Sequence, residues 1–410
     1  MMKAVGEGAR VAVNTPTAVA TGPVPKRLRG ILCLDDFEVA ARRHLPHPVF
    51  EYVAGGVEDN RARESNREAF RDWDFVPRVL AGVKHRKTDA RLLGHTYSAP
   101  FGVAPIGIAA LYAYRGDLVL ARAAREANLP MVMSGSSLIR LEDVFAESPN
   151  AWFQAYLPGD PEQMTDLLER VKRAGFATLV ITVDVPTSGN RENNMRAGFS
   201  TPLKPTLRLA WEGITHPRWL FGSFLRTIAQ HGMPHFENNY ATRGAPILSP
   251  NVLRDYSDRG NLCWEDLARI REFWKDRHLI VKGILHPGDA KKACELGADG
   301  VIVSNHGGRQ LDGAIAPLRV LPGIVAACGA VPVMLDSGVR RGTDVIKALA
   351  LGARFVFLGR SFGYAAATGG VAGVHHAFRI LQSEIDRDMA MLGINSLDEL
   401  TPEFLHRGGR

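Results

Sequence analysis

The chain contains few cysteines, and their spacing excludes two kinds of site. Its 410 residues include only four, at Cys33, Cys263, Cys294 and Cys328. They are widely scattered and none lies in a CxxC pair, so the sequence predicts neither a disulfide framework nor a zinc site. We predict no metal site of any other kind. Scattered thiols are typical of a reducing compartment, which indicates the cytoplasm.

Targeting segments and long apolar runs are also lacking. No N-terminal stretch combines a basic start, an apolar core and a small-residue cleavage site, so no secretory signal is expected. The run 361–378 contains no Lys, Arg, Asp or Glu, but it is rich in glycine and alanine and holds two histidines. We predict that this run forms a helix of the fold with its loop rather than a membrane span.

Nucleic-acid motifs are a third absence. The net charge is +7, which on its own is compatible with nucleic acid or a membrane surface as a partner. The basic residues are mostly interleaved with acidic ones, and no zinc-finger, helix-turn-helix or RNA-binding motif occurs. We therefore expect no nucleic-acid partner, and an anionic small substrate or an anionic membrane explains the positive field equally well.

The composition changes near residue 33. Residues 1–33 are dominated by Pro, Gly, Thr and Ala without an apolar period, which predicts a disordered tail. From Leu34 the acidic start Asp35-Asp36 and the alanines that follow indicate a capped helix. We predict that residues 34–405 form a single domain.

Short apolar or β-branched runs alternate with amphipathic stretches through most of this domain. The predicted strands are 101–106, 130–134, 151–156, 178–184, 278–283, 300–304, 331–336 and 355–359, and helical patterns occupy 117–127, 161–173, 287–296 and 343–351. Eight strands interleaved with helices predict an α/β fold, the (β/α)8 TIM barrel, preceded by an N-terminal helical segment. A doubly wound sheet is the alternative, but no GxGxxG pattern follows the first strand.

The regular alternation stops after the fourth strand, at a predicted insertion covering 190–264. The insertion combines aromatic or apolar residues with basic ones: Trp211, Trp219, Phe221, Phe224, Leu225, Lys204, Arg208, Arg218 and Arg226. This composition suits a membrane-interface segment, placed here at 205–235. A long active-site lid or a subunit contact is the other interpretation, and we favour it slightly.

Polar or charged residues follow six of the eight predicted strands. Catalytic groups of a barrel come from the carboxyl ends of its strands, so these residues are expected to share one rim. They are Gln154 and Tyr156, Asp184 and Arg191, Lys282, the run 304–309, the run 336–340, and Gly359 with Arg360. A lone histidine or lysine at a strand end is more often structural, but six such ends favour a site. The last two ends offer glycine N–H groups and arginines where barrels commonly bind phosphate.

Two runs carry a resemblance to a known family. They are SNHGGRQLDG at 304–313 and LDSGVRRGTDVIKALALGA at 335–353. With them, the chain resembles the FMN-dependent 2-hydroxy acid dehydrogenases and oxidases from about Leu34 to Leu405. The blocks HPRW at 216–219 and HGMP at 231–234 make it most similar to the mandelate dehydrogenases of that family. The resemblance implies an FMN-binding (β/α)8 barrel.

The resemblance also implies a role for each matching residue of the substrate pocket. It places the catalytic base at His306 and the carboxylate that orients this base at Asp184; an imidazole paired with a carboxylate can accept a proton and be stabilised as imidazolium. The other pocket residues are Arg191 and Arg309, which would grip the substrate carboxylate, and Tyr52 and Tyr156, which would act in catalysis and substrate binding.

A second group of matching residues is implied to bind FMN. Lys282 would lie beside N1 and the C2 carbonyl of the flavin, where a fixed cation favours the anionic reduced form. The remaining contacts are Ile106, Gly107 and Ile108 through the backbone, Ser134, Gln154, Thr182 and Ser304 through polar side chains, and Asp336, Ser337, Gly338, Val339, Arg340, Gly359 and Arg360 at the phosphate.

The implied activity is the oxidation of an (S)-2-hydroxy acid to the 2-keto acid. Ser136 stands where glycolate oxidase has a tryptophan, which favours a bulky acid such as mandelate, while lactate stays open. Gly107 stands where glycolate oxidase has alanine and favours a dehydrogenase that passes electrons to a quinone or a carrier protein. The family resemblance further implies a homotetramer, and the insertion allows a peripheral position at the inner face of the membrane.

Three alternatives remain open from the sequence. The first is an oxidase that uses O2 and releases hydrogen peroxide. The second is an FMN barrel that isomerises a phosphorylated substrate, although it would not need two arginines beside a histidine base. The third is a non-catalytic barrel that acts as a binding protein, although every motif position carries the chemistry of an enzyme.

Overall fold

Eight short parallel strands form the centre of the fold in the computed structural model, which describes residues 23–250 and 257–408. The strands are β1 (Phe101–Val103), β2 (Val132–Ser134), β3 (Trp152–Ala155), β4 (Thr178–Thr182), β5 (His278–Ile284), β6 (Gly300–Val303), β7 (Val333–Leu335) and β8 (Phe355–Leu358). Strands β2 to β8 pair in sequence order, each with the following strand, and β8 also pairs with β1. A parallel bridge between Val103 and Met131 closes the ring. The predicted barrel and all eight predicted strands are confirmed.

Both faces of these strands are buried, which explains their continuous apolar runs. One set of alternate residues, including Val180, Ile280 and Ile302, forms a cluster inside the barrel, while the other set packs against the surrounding helices. The hairpin of Ala90–Leu92 and His95–Tyr97 adds its own side chains to the interior cluster. The amino end of the barrel is therefore filled, and the opposite end is left for a site.

Sixteen α-helices lie among the described residues. They are α1 (Leu34–His44), α2 (His47–Ala54), α3 (Arg61–Glu68), α4 (Ala109–Tyr112), α5 (Gly116–Glu126), α6 (Leu141–Glu147), α7 (Pro161–Ala174), α8 (Glu192–Ala197), α9 (Leu207–Thr215), α10 (Pro217–Trp219), α11 (Leu225–His231), α12 (Trp264–Phe273), α13 (Pro287–Glu295), α14 (Pro317–Cys328), α15 (Gly342–Ala350) and α16 (Arg360–Leu392). The four predicted barrel helices match α5, α7, α13 and α15 within one residue at each end. The run 361–378 lies inside α16, which is bent at Gly370.

The ends of the chain and the insertion surround this barrel. Trp73–Phe75 pairs with Leu405–Arg407 in a small antiparallel sheet. Residues 1–22 of the predicted tail lie outside the described residues, but Leu28 and Ile31 are buried. Helices α8 to α11 occupy the first part of the insertion, and residues 251–256 lie outside the description. The barrel pattern resumes at α12.

No helix in the described part of the chain is long and apolar enough to cross a membrane. The same residues contain no group of three or more His, Cys, Asp or Glu side chains that could hold a metal ion.

Candidate active site

His306 follows β6 and joins two other predicted residues at the carboxyl end of the barrel. Its Nδ1 lies 3.0 Å from Oδ1 of Asp184, which follows β4. Its Nε2 lies 3.2 Å from the hydroxyl of Tyr156, which follows β3. Because a carboxylate only accepts hydrogen bonds, Nδ1 carries the ring proton and Nε2 keeps its lone pair. The ring can therefore accept a proton at Nε2.

Burial and charge keep this histidine neutral and its aspartate ionised. Burial lowers the pKa of His306 below its ordinary value, and the negative charge of Asp184 opposes that shift. Burial alone raises the pKa of Asp184, but its electrostatic interaction and hydrogen bond with His306, together with the positive charge of Lys282, outweigh burial, and the pKa of this carboxyl is lowered. A neutral imidazole held by a carboxylate is the arrangement that a general base needs.

The backbone at His306 adopts a rare left-handed conformation. Its φ is +58°, and the next two residues are glycines that also have positive φ. The preceding Asn305 exchanges two amide hydrogen bonds with Asn66 of α3, at 2.8 and 2.7 Å. At Gly308 a Cβ atom would lie 2.4 Å from the backbone nitrogen of Arg63, so α3 packs directly on the turn. These contacts offset the cost of the left-handed residue and fix the position of the imidazole.

Two predicted arginines line the same cavity. Arg191 donates from Nε to the carbonyl of Arg309 at 3.2 Å and from Nη2 to Oε1 of Gln310 at 2.7 Å. Arg309 donates to the carbonyl of Gly55 at 2.8 Å, and its guanidinium lies 5.1 Å from the ring centroid of Tyr52. Within the described residues neither arginine forms an ion pair with a carboxylate. Burial, followed by the charge of Arg191, lowers the pKa of Arg309 to about 9. An anionic ligand would offset the cost of partly burying these two charges.

Lys282 on β5 supplies a third positive charge. Its Nζ lies 3.0 Å from Oδ2 of Asp336 and donates to Oγ of Ser304 at 2.9 Å. Burial alone lowers the pKa of Lys282, but the charges of Asp336 and Asp184 outweigh burial and raise it. The lysine therefore remains protonated although it is almost fully buried.

The predicted phosphate-binding runs line the same cavity. Gly338, Val339 and Gly359 line it beside Arg340 and Arg360. Both arginines are already partly engaged. Arg360 donates to three backbone carbonyls, those of residues 53, 55 and 307, and Arg340 lies 3.4 Å from Asp35. Glycine N–H groups beside fixed guanidinium groups suit a phosphate.

Two buried polar atoms provide an independent test for a bound cofactor. Nε2 of Gln154 and Oγ1 of Thr182 have no hydrogen-bond partner among the described residues, although both side chains are buried. The hydroxyl of Ser134 donates to Oε1 of Gln154 at 3.3 Å and accepts from the N–H of Ser136 at 3.1 Å, so it does not pair with Nε2 of Gln154. Buried polar groups are normally paired, so a ligand with donors and acceptors is expected beside them. The polar edge of a flavin, with the protonated Lys282 next to it, fits this requirement.

One cavity collects most of the predicted site. Of the predicted residues, it is lined by Tyr52, Ile106, Gly107, Tyr156, Arg191, Lys282, His306, Arg309, Asp336, Ser337, Gly338, Val339, Arg340, Gly359 and Arg360. The other predicted residues are outside this lining: Ile108, Ser134, Gln154, Thr182, Asp184 and Ser304. Asp184 and Ser304 touch the lining through His306 and Lys282. Ile108 is buried, and its N–H donates to the carbonyl of Ser136.

Three residues that the sequence did not single out belong to this region. The guanidinium of Arg259 in the insertion lies 4.9 Å from the ring centroid of Tyr156 and lines the cavity. Gln310 and Asn66 support the loops from outside the lining. Arg259 and Asn66 lie far along the chain from the motifs, and no local pattern marks them. Gln310 follows Arg309 inside the motif, so the sequence could have placed it near the site, but its contacts depend on the fold and could not be predicted.

The sequence and fold match one family throughout the barrel. The model for FMN-dependent dehydrogenase matches residues 41–407. (S)-Mandelate dehydrogenase of Pseudomonas putida is 37% identical over 377 residues, covering 92% of this chain and 94% of that protein. L-Lactate dehydrogenase of Xanthomonas campestris pv. campestris strain B100 is 39% identical over 386 residues, covering 92% and 97%. A crystal structure of the monotopic membrane protein (S)-mandelate dehydrogenase matches with a TM-score of 0.84 at 35% identity, covering 93% of this chain and 100% of that chain.

A flavin-dependent oxidoreductase is the class that this barrel and its cavity define. The chain belongs to the FMN-dependent dehydrogenase family, and its cofactor is FMN. The resemblance stated from the two sequence motifs is confirmed.

Proposed function

We propose that this protein oxidises an (S)-2-hydroxy acid to the corresponding 2-keto acid. Bound FMN supplies the two-electron acceptor that this oxidation requires. One observation carries the proposal: His306, whose Nε2 keeps its lone pair, lines the same cavity as two partly buried arginines, Arg191 and Arg309, which have no carboxylate partner among the described residues. This combination of a base and paired guanidinium groups suits a substrate with an acidic proton and a carboxylate.

Each of these residues then has a defined task. Arg191 and Arg309 bind the substrate carboxylate, and their remaining N–H groups donate to its oxygens. Tyr52 and Tyr156 hydrogen-bond the polar groups of the substrate. His306 takes a proton at Nε2 while the substrate carbon is oxidised, and the carboxylate of Asp184 stabilises the imidazolium that results. The phosphate contacts and Lys282 hold the cofactor.

A panel of 2-hydroxy acids tests this proposal. The holoenzyme is mixed without oxygen with both hands of lactate, mandelate and larger acids, and the loss of flavin absorbance is followed. We expect bleaching by the (S)-acids alone. If none of the 2-hydroxy acids bleaches the flavin, the result would contradict the proposal and favour the isomerase or the binding protein.

We further propose that the electrons leave to a quinone or a carrier protein. The two relatives reported above are both named dehydrogenases, which supports this route over an oxidase. Mixing the reduced enzyme with air distinguishes a dehydrogenase from an oxidase. Slow reoxidation is expected, whereas fast reoxidation with release of hydrogen peroxide would identify an oxidase.

The cavity wall beside Tyr52 is expected to set the size of the substrate. A Cβ atom at Gly107 would lie 2.9 Å from the hydroxyl of Tyr52 and 3.2 Å from Cβ of Ser136. Gly107→Ala therefore narrows the cavity, and we expect KM for (S)-mandelate to rise about tenfold, with a smaller rise for L-lactate.

Gly323→Ala is the matched control, since Gly323 lies on an exposed part of α14 and a Cβ there meets nothing closer than 3.5 Å. Equal changes of KM for both acids in Gly107→Ala would argue against a size-selective wall at this position.

We propose that the insertion attaches the protein to the cytoplasmic face of a membrane. Trp219 of the insertion is buried and donates to the carbonyl of Leu111, so one side of the segment is fixed to the barrel. The other side exposes Leu207, Trp211 and Ile214, which recur on one face of α9, together with Phe221 and Leu225. The same segment also exposes four basic side chains, those of Lys204, Arg208, Arg218 and Arg226. Exposed apolar side chains together with exposed basic ones suit an anionic lipid surface.

The triple variant Leu207→Ser, Trp211→Ser and Phe221→Ser tests this attachment. We expect its binding to vesicles that contain anionic lipid to fall at least about tenfold, because the apolar anchors are lost. Flavin reduction by the substrate should be unchanged. Val79→Ser with Leu80→Ser is the control, since both residues are highly exposed outside the insertion. If the triple variant sediments with vesicles as the parent does, the lid or subunit-contact interpretation of 205–235 is favoured. The homotetramer stays a prediction.

A further inference from the structure

Gln310 lies outside the cavity lining but joins three parts of the site. Its Oε1 accepts a hydrogen bond from Nη2 of Arg191 at 2.7 Å. Its Nε2 donates to the backbone carbonyls of Asp184 and Thr187, both at 3.2 Å. A guanidinium only donates and a carbonyl only accepts, so these partners fix the orientation of the amide. One side chain after β6 thus holds the loop that follows β4.

The two loops also meet through their backbones at this point. A Cβ atom at Gly189 would lie 2.5 Å from the carbonyl oxygen of Arg309 and 3.0 Å from that of Gln310. The N–H of Arg191 in turn donates to the carbonyl of Gly189 at 2.9 Å. The position of Arg191 therefore depends on the residues around Gln310 through both backbone and side chain.

The contacts of Arg191 show what the amide does for it. The Nη2 group of Arg191 donates to Oε1 of Gln310, and its Nε donates to the carbonyl of Arg309. These two bonds leave about three of the five N–H donors of the guanidinium for other partners. Both acceptors are neutral, so they orient the guanidinium without cancelling its charge. The nearby charge of Arg309 repels Arg191, and the two acceptors hold it in place against that repulsion.

We propose that Gln310 is a positioning residue for recognition of the substrate carboxylate. It fixes Arg191 as a charged, oriented donor and ties it to the loop that carries Asp184. This inference rests on the proposed function, because it takes Arg191 as a carboxylate-binding residue. It implies that a neutral amide is required at residue 310. A carboxylate at this position would pair with Arg191, compete with the substrate and place its own charge against two backbone carbonyls.

We test the inference with two molecules that resemble the substrate but lack its hydroxyl group, so they bind without being oxidised. Phenylacetate carries the carboxylate, and phenylacetamide is its neutral counterpart. Both are titrated into the FMN-loaded enzyme, and dissociation constants are taken from the change in flavin absorbance. We expect Gln310→Ala to weaken phenylacetate about tenfold and Gln310→Glu about a hundredfold, while phenylacetamide changes less than about threefold. The FMN content should equal that of the parent.

Gln163→Ala and Gln163→Glu are the matched controls, because Gln163 is exposed on α7. Both should bind the two molecules as the parent does. Equal weakening of phenylacetate and phenylacetamide in the Gln310 variants would reduce the residue to a general structural role and overturn the inference, as would unchanged binding of both. A parent enzyme that does not prefer phenylacetate would overturn it as well. If the parent prefers phenylacetate but no 2-hydroxy acid bleaches its flavin, the proposed function fails. The binding measurements still decide whether Gln310 positions Arg191 for a carboxylate.

Discussion

His306→Gln should lower the rate of flavin reduction by (S)-mandelate about a thousandfold, within the range of ~10²–10⁴ that a general base contributes. Glutamine retains a polar side chain of similar length but cannot accept a proton at neutral pH. Asp184 then has no imidazolium to stabilise. The measurement is anaerobic rapid mixing of the FMN-loaded variant with substrate, and the FMN content should be close to that of the parent.

His406→Gln is the control, because His406 is exposed in the small sheet away from the barrel. It should reduce its flavin at the parent rate. A His306→Gln enzyme that binds FMN and is reduced at near the parent rate would remove the base assignment.

Lys282→Met should destabilise the fold and abolish tight binding of FMN. The substitution leaves Asp336 buried beside an apolar side chain, and removing one partner of a buried ion pair costs about 3–5 kcal/mol. We expect the free energy of unfolding, measured by urea titration, to fall by about this amount. The double variant with Asp336→Asn should recover most of the stability without recovering FMN affinity, because the cation that we propose beside the flavin is still missing.

Lys275→Met provides the matched control. Lys275 lies 3.5 Å from Glu272 on the surface, and exposed pairs of this kind contribute about 0–1 kcal/mol. Its free energy of unfolding and its FMN content should stay near those of the parent. If Lys282→Met proves as stable as this control, or retains FMN fully, Lys282 does not have the role that we give it.

The sequence was most informative where local pattern determines structure. Apolar runs between helical patterns located all eight strands, because strands buried on both faces need continuous apolar residues. The predicted ends were less accurate: β4 was expected to reach Asp184 but ends at Thr182, where the chain leaves the ladder and turns towards the site. Strand bounds depend on backbone pairing with neighbours, which apolar content does not specify.

The insertion shows a different limit. Its aromatic and basic residues were visible, but whether each is buried depends on contacts with distant parts of the chain. Trp219 packs inward through a hydrogen bond to Leu111, whereas Trp211 stays exposed eight positions earlier. Composition alone treats the two tryptophans alike.

The site residues divide in the same way. His306 and Asp184 were named from the motifs, and the structure brings them within 3.0 Å of each other. The arginine-to-backbone contacts were not foreseen. Arg360 donates to carbonyls at residues 53 and 55, more than 300 positions away, and Gln310 reaches back to Asp184. Backbone carbonyls carry no residue-specific signal, so contacts of this kind emerge only from the fold.

The central claim is that this FMN-dependent enzyme oxidises an (S)-2-hydroxy acid. The most direct test mixes the FMN-loaded enzyme with excess (S)-mandelate or L-lactate in the absence of oxygen and quantifies flavin absorbance together with the 2-keto acid. We expect full loss of the oxidised flavin spectrum and one 2-keto acid per flavin with at least one of these substrates. A flavin that stays oxidised with both, and with larger (S)-2-hydroxy acids, would contradict it.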